Sequence, residues 1–254
     1  MWRSCGWTKP TNLPFINKRD KLNLSDERVR ALSHDLGAER GMAVFSSKAQ
    51  RVRRAPTYYT RNTSRRTPFC ACSSKDGGKS FVRIGSAAFP AEDSPTEPML
   101  IERRDGGIWM LTRTRYGIAS SVSHDCGRTW SAPVRSTISQ PSTRFFIRRL
   151  KSGRLLLVKN SPPNGKDRSN MTAYLSDDDG KTWRGGLDID DRMNVSYPDG
   201  VESPDGKIYV VYDRERFTAR EILMATFREK DVLAGRPVTA DARLRIIVSK
   251  AGRP

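Results

Sequence analysis

The chain has 254 residues, 36% of them hydrophobic, and a mean hydropathy of -0.63, enough apolar content for one sizeable core. No stretch approaches the roughly 18 consecutive apolar residues of a spanning helix, so the chain reads as soluble and no membrane partner is expected. The formal charge of +18 fits counterion release from nucleic acid, yet +10 of it lies in Met1–Cys70, which carries 15 Lys/Arg against 5 Asp/Glu.

That first segment, residues 1–70, reads as a basic, irregular or disordered arm. Its opening run, MWRSCGWTKPTNLPF, lacks the uninterrupted apolar core of a signal peptide, so no export address is expected. A weak helical window lies near Ser25–Leu36, with Ser25 as N-cap. Arg51, Arg53, Arg54, Arg61, Arg65 and Arg66 sit among Thr, Ser and Pro. No aromatic or fold motif accompanies this charge, which makes a solvated tail the stronger reading and nucleic-acid binding the weaker. Cys5, Cys70, Cys72 and Cys126 form no CxxC pair, and His34 and His124 are far apart in sequence. Neither a metal site nor a disulfide framework is expected.

From residue 71 the pattern changes to short β-rich runs between Gly-containing turns. Ser74–Phe81, Ser123–Trp130 and Ser176–Trp183 all fit S-x-D-x-G-x-[ST]-[WF], at spacings of 49 and 53 residues. That is about one four-stranded blade of a β-propeller. The pattern suits a hairpin turn: Asp76, Asp125 and Asp178 accept turn amides, the Gly supplies positive φ, and the aromatic packs over the hairpin. These carboxylates are therefore read as structural.

Between the turns a second repeat places a Gly before a hydrophobic strand, at Gly106, Gly153 and Gly206. Each marks a hairpin. Nine residues before these glycines stand Glu97, Arg144 and Tyr197, and seven after them stand Arg113, Asn160 and Asp213. If the hairpins superpose, these six occupy two equivalent places near the ends of inner strands.

The segments Glu97–Thr114, Arg168–Trp183 and Ser196–Asp213 resemble the bacterial sialidases and their Asp-box (BNR) repeat relatives. The resemblance implies an all-β, six-bladed propeller, of which about four blades are recognisable at about 50 residues each. It implies a retaining exo-sialidase-like hydrolase with a tyrosine nucleophile and no cofactor, acting on a sialic-acid-like glycan. By resemblance Tyr197 matches the nucleophile, Glu97 its activating carboxylate, and Arg113 and Arg168 two of three arginines that grip the substrate carboxylate. Arg115 competes with Arg113 for its place by its spacing to the following Asp box, and Arg144 is expected to line the pocket. Family members are often exported. The family's remaining arginine and its general acid come from first blades that have no counterpart here, so residues before Ser74 read as a degenerate replacement for them or an incomplete frame. Two rival readings are a non-catalytic glycan-binding or scaffold propeller and a basic nucleic-acid binder.

Overall fold

The computed structural model describes residues 57–59, 66–73 and 82–252. The helical window at Ser25–Leu36, the arginines from Arg51 to Arg65 and the turn at Asp76 lie outside the described residues.

Four antiparallel meanders follow one another along the chain, each with its strands in sequence order. The first joins β1 (Thr57–Tyr59), β2 (Arg66–Ser73) and β3 (Val82–Pro90). The second joins β4 (Thr96–Glu102), β5 (Ile108–Thr114), β6 (Gly117–Ser123) and β7 (Val134–Arg135). The third comprises β8 (Phe146–Arg149), β9 (Leu155–Asn160), β10 (Met171–Ser176) and β11 (Arg184–Asp190). The fourth comprises β12 (Val195–Glu202), β13 (Ile208–Arg214), β14 (Glu221–Phe227) and β15 (Arg243–Lys250), with a short helix, α1 (Glu229–Ala234), before its last strand. Among the described residues strand is present from Thr57, ahead of the change in pattern near residue 71. Among the described residues no helix is long and apolar enough to cross a membrane.

Sequence pattern follows the number of faces each strand buries. In β9, Leu155, Leu156, Leu157 and Val158 are all buried, the continuous apolar run of a strand covered on both sides. In β5 the faces separate: Ile108 and Met110 pack with Phe69, Ala87 and Phe89 of the first sheet, while Trp109 and Leu111 enter the larger core shared by the last three sheets. In β13, Ile208, Val210 and Tyr212 are buried but Val211 is 40% exposed, the alternation of a sheet packed on one face. Each buried aliphatic or aromatic side chain contributes about 1.5–3 kcal/mol.

The three hairpins of the second repeat close alike. Gly106, Gly153 and Gly206 have φ of 83°, 86° and 82°, and each donates its N–H to the carbonyl three residues back at 3.0 Å. The turns at Asp125 and Asp178 also share one hydrogen-bond plan. Asp125 Oδ1 accepts from Ser123 Oγ at 2.9 Å and from the Thr129 amide at 2.8 Å, and Oδ2 accepts from Thr129 Oγ1 at 2.6 Å. Asp178 does the same with Ser176 Oγ and with Thr182 N and Oγ1, at 2.8, 2.8 and 2.6 Å. A Cβ on Gly180, whose φ is +87°, would stand 2.7 Å from the Trp109 ring, so this turn seats the third sheet against the second.

Cys126, inside the Asp125 turn, is disulfide-bonded, a single bridged cysteine that the sequence pattern did not single out. Bridge formation depends on the approach of Cβ atoms in space, and irregular cysteine spacing carries no trace of it.

Burial tends to raise the Asp125 carboxyl, but the bonds from Thr129, Ser123 and Arg128 outweigh it and push it down to about 2. Asp125→Ala is expected to cost about 1–3 kcal/mol near neutral pH. Because the folded carboxyl titrates below its unfolded value, the wild-type advantage is complete above about pH 4 and disappears as the pH falls through about 2. Urea midpoints of both proteins across that range, which should converge at the acid end, check this.

Candidate active site

Two strand pairs are interrupted in the same way. Across β4 and β5, Thr96 pairs with Arg113 and Met99 with Leu111, so Glu97 and Pro98 together oppose Thr112. Across β12 and β13, Ser196 pairs with Asp213 and Asp199 with Val211, so Tyr197 and Pro198 together oppose Tyr212. These are β-bulges, with two residues facing one. Glu97 and Tyr197 hold φ of 53° and 56°, the left-handed region that a bulge normally gives to glycine. The following prolines have no N–H to lose from the ladder, and Thr112 Oγ1 donates to the Thr96 carbonyl at 2.7 Å, bracing the first bulge.

The bulged residues meet through one guanidinium. Arg113 Nη1 donates to Glu97 Oε2 at 3.2 Å and to Tyr197 Oη at 3.5 Å, while Arg113 Nε reaches Ser142 Oγ at 3.5 Å. The Arg144 guanidinium lies 5.9 Å from the Tyr197 ring centre, and its buried Nε has no hydrogen-bond partner among the described residues. A cleft of about 360 Å³ opens here, lined by Ser94, Thr96, Glu97, Arg113, Arg115, Ser142 and Tyr197. Glu97 is the single carboxylate of that lining, against two arginines.

Arg168 stands apart. It lies in the loop between β9 and β10, and its carbonyl accepts from Val195 N at 3.1 Å, two residues before Tyr197. Its half-buried side chain is not part of the cleft lining. Asn160 serves the backbone, donating from Nδ2 to the carbonyls of Ser169 and Val195 at 3.1 and 3.0 Å. Lys159, pushed down to about 8 by burial, donates to Ser161 Oγ at 2.7 Å and also lies outside the lining. Arg115 lines the cleft as well as Arg113, but Arg113 alone bridges Glu97 and Tyr197.

Sequence reasoning missed Arg216. Its guanidinium carbon lies 4.0 Å from the Tyr197 ring centre, and it comes from the turn after β13, which belongs to no repeat. The available signal was Asp213, three residues upstream, whose carboxylate binds Arg216 Nε.

Successive antiparallel meanders with a polar cleft at the strand ends define a β-propeller. Residues 56–210 match the family model described as a BNR repeat-like domain, and the chain belongs to that family. The intramolecular trans-sialidase of Ruminococcus gnavus, solved with oseltamivir carboxylate, is 21% identical over 70% of this chain and 41% of its own, with a TM-score of 0.56. The leech intramolecular trans-sialidase, complexed with 2,7-anhydro-Neu5Ac, is 20% identical over 70% of this chain and 30% of its own, also at 0.56. An α-L-arabinanase of Penicillium chrysogenum, complexed with arabinobiose, is 17% identical over 74% of this chain and 64% of its own, at 0.50. These likenesses establish the fold as a sialidase-type propeller, and the chain spans less than half the length of either trans-sialidase. No curated protein matches the sequence.

The Arg113–Glu97 pair is mostly shielded, with side-chain exposures of 20% and 11%, so removing one partner strands the other. Arg113→Met is expected to destabilise the fold by about 1–3 kcal/mol, and Glu97→Gln to recover part of that in the double variant. Chemical denaturation of the four proteins of this cycle measures the coupling, and strict additivity would contradict the contact.

Proposed function

We propose that this propeller is a sialidase-like, retaining exo-glycosidase that acts on terminal sialic or related acidic sugars. The observation that carries the reading is the single Arg113 nitrogen bonded to both Glu97 and Tyr197. A substrate with a carboxylate on its anomeric carbon repels an anionic nucleophile, whereas a neutral phenol can approach it. A phenol, with a pKa of about 10, needs a base to attack at neutral pH.

In this reading Tyr197 Oη forms a bond to the anomeric carbon as the glycosidic C–O bond breaks, and its proton passes to Glu97. Water later cleaves the tyrosyl–sugar bond. Arg113's contact with Oη favours the phenolate as it forms. Arg113 and Arg168 hold the substrate carboxylate, a task suited to forked and permanently charged donors, and Arg144 stands beside the Tyr197 ring. The leaving oxygen takes its proton from a group outside the described lining, because Glu97 is the only carboxylate there. In this reading the full molecule closes with six blades, two more than the four sheets described here. One alternative is a propeller that binds glycans without cleaving them.

Hydrolysis of a fluorogenic sialoside by the purified chain tests the proposal. Tyr197→Phe is expected to reduce kcat by about 10²-fold or more, with little change in KM. Glycan binding that survives Tyr197→Phe, with no hydrolysis at any pH, would establish the binding alternative. Cleavage of an arabinan in place of the sialoside would overturn the substrate class.

A further inference from the structure

The turn between β13 and β14 is held more tightly than its exposure requires. Glu215 and Arg220 both adopt positive φ, 53° and 52°. The Glu215 carbonyl accepts from Thr218 N at 3.1 Å and from Arg220 N at 2.7 Å. Asn194 clamps the same residue from the other side: its carbonyl accepts from Glu215 N at 3.1 Å, and its Nδ2 donates to Glu215 Oε1 at 2.9 Å.

This turn delivers Arg216 to Tyr197. Arg216 Nε donates to the Asp213 carboxylate, Nη2 donates to Ser196 Oγ at 3.1 Å, and Ser196 Oγ donates to Asp213 Oδ1 at 2.7 Å. Ser196 precedes the bulged tyrosine and pairs across the ladder with Asp213. The three side chains therefore form a closed ring of hydrogen bonds beside the bulge, and the guanidinium carbon lies 4.0 Å from the phenol ring centre.

We propose that Arg216 is a positioning residue that clamps the Tyr197 ring and favours negative charge on its oxygen as the phenolic proton leaves. This rests on the reading of Tyr197 as the nucleophile. A cation over a neutral ring is attracted modestly. Once the ring carries a full negative charge, the attraction becomes one between opposite charges and grows. An interaction that strengthens along the reaction raises kcat more than it lowers KM. Asp213 offsets part of the charge, so the effect is moderate. Arginine suits the place because it stays charged and lies flat on an aromatic face.

The test compares wild type with Arg216→Gln, which keeps a planar donor without charge, and Arg216→Lys, which keeps the charge without the plane. The first readout needs no substrate: the rate at which an aryl sulfonyl fluoride, which reacts with phenolate, labels Tyr197 at pH 7.5, followed by peptide mass spectrometry. The other six of the seven tyrosines act as internal references. Arg216→Gln is expected to slow labelling of Tyr197 about tenfold, and Arg216→Lys less than about threefold. The second readout is sialoside turnover, where Arg216→Gln should lower kcat about tenfold while KM stays within about twofold. Unchanged or faster labelling in Arg216→Gln overturns the proposal, and so does equal slowing in both variants, which marks a purely structural clamp. If the labelling difference appears but wild type leaves sialosides intact, the sialidase reading fails while Arg216's effect on Tyr197 stands.

Discussion

Everything at the cleft depends on fitting two residues opposite one at the start of two inner strands. An undisturbed ladder would alternate Glu97 and Tyr197 with their neighbours across the faces of their sheets. The bulge breaks that alternation and turns each side chain toward the strand end. A left-handed backbone at a non-glycine residue costs on the order of 1–3 kcal/mol, and here it occurs twice, each time just before a proline that itself disfavours helical backbone. The surroundings hold it there: Thr112 ties the first bulge to the Thr96 carbonyl, and the Ser196–Asp213–Arg216 ring ties the second.

Charge gives the cleft its chemical character. Three guanidinium groups lie near the phenol of Tyr197, that of Arg113 at its oxygen and those of Arg144 and Arg216 near its ring. Glu97 and Asp213 each compensate one of these cations, whereas Arg144 has no ion-pair partner among the described residues and leaves a buried N–H unbonded. A buried unsatisfied donor costs about 1–3 kcal/mol. Lys159 makes a useful contrast. Burial alone depresses it, and it rests on Ser161 rather than in the cleft.

Much of this was legible in the sequence because it repeats. A count of nine residues back from Gly106 and Gly206 finds both bulged residues, since the hairpins close identically and the count is blind to the bulge itself. The same count from Gly153 gives Arg144, where the ladder of β8 and β9 runs without a bulge and the arginine lies just before the strand. Features that occur once left no pattern to read. Arg216 sits in a solitary turn. Arg148 is buried and donates to the Gly200 carbonyl at 3.2 Å, a contact 52 residues away in sequence. The strands before residue 71 include one of only three residues, too short for a period of two to register.

The cleft draws its side chains from three sheets: Glu97 and Arg113 from the second, Ser142 from the approach to the third, and Tyr197 from the fourth. No single sheet contains the site, so its distances are set by how the sheets lean on one another. That lean is fixed well away from the cleft. A Cβ on Gly180 would strike Trp109 of the second sheet, and one on Gly200 would come within 3.2 Å of Phe146 of the third. At Gly180 the ring of the neighbouring sheet occupies the space, and at Gly200 the Tyr209 carbonyl of its own ladder, 2.7 Å from such a Cβ, shares it with the Phe146 ring. Close-packed interiors transmit such displacements rather than absorb them, and a hydrogen bond already at 3.5 Å, such as that from Arg113 to Tyr197, has little length to spare. The aromatic-on-glycine contacts between sheets therefore belong to the site as much as to the core.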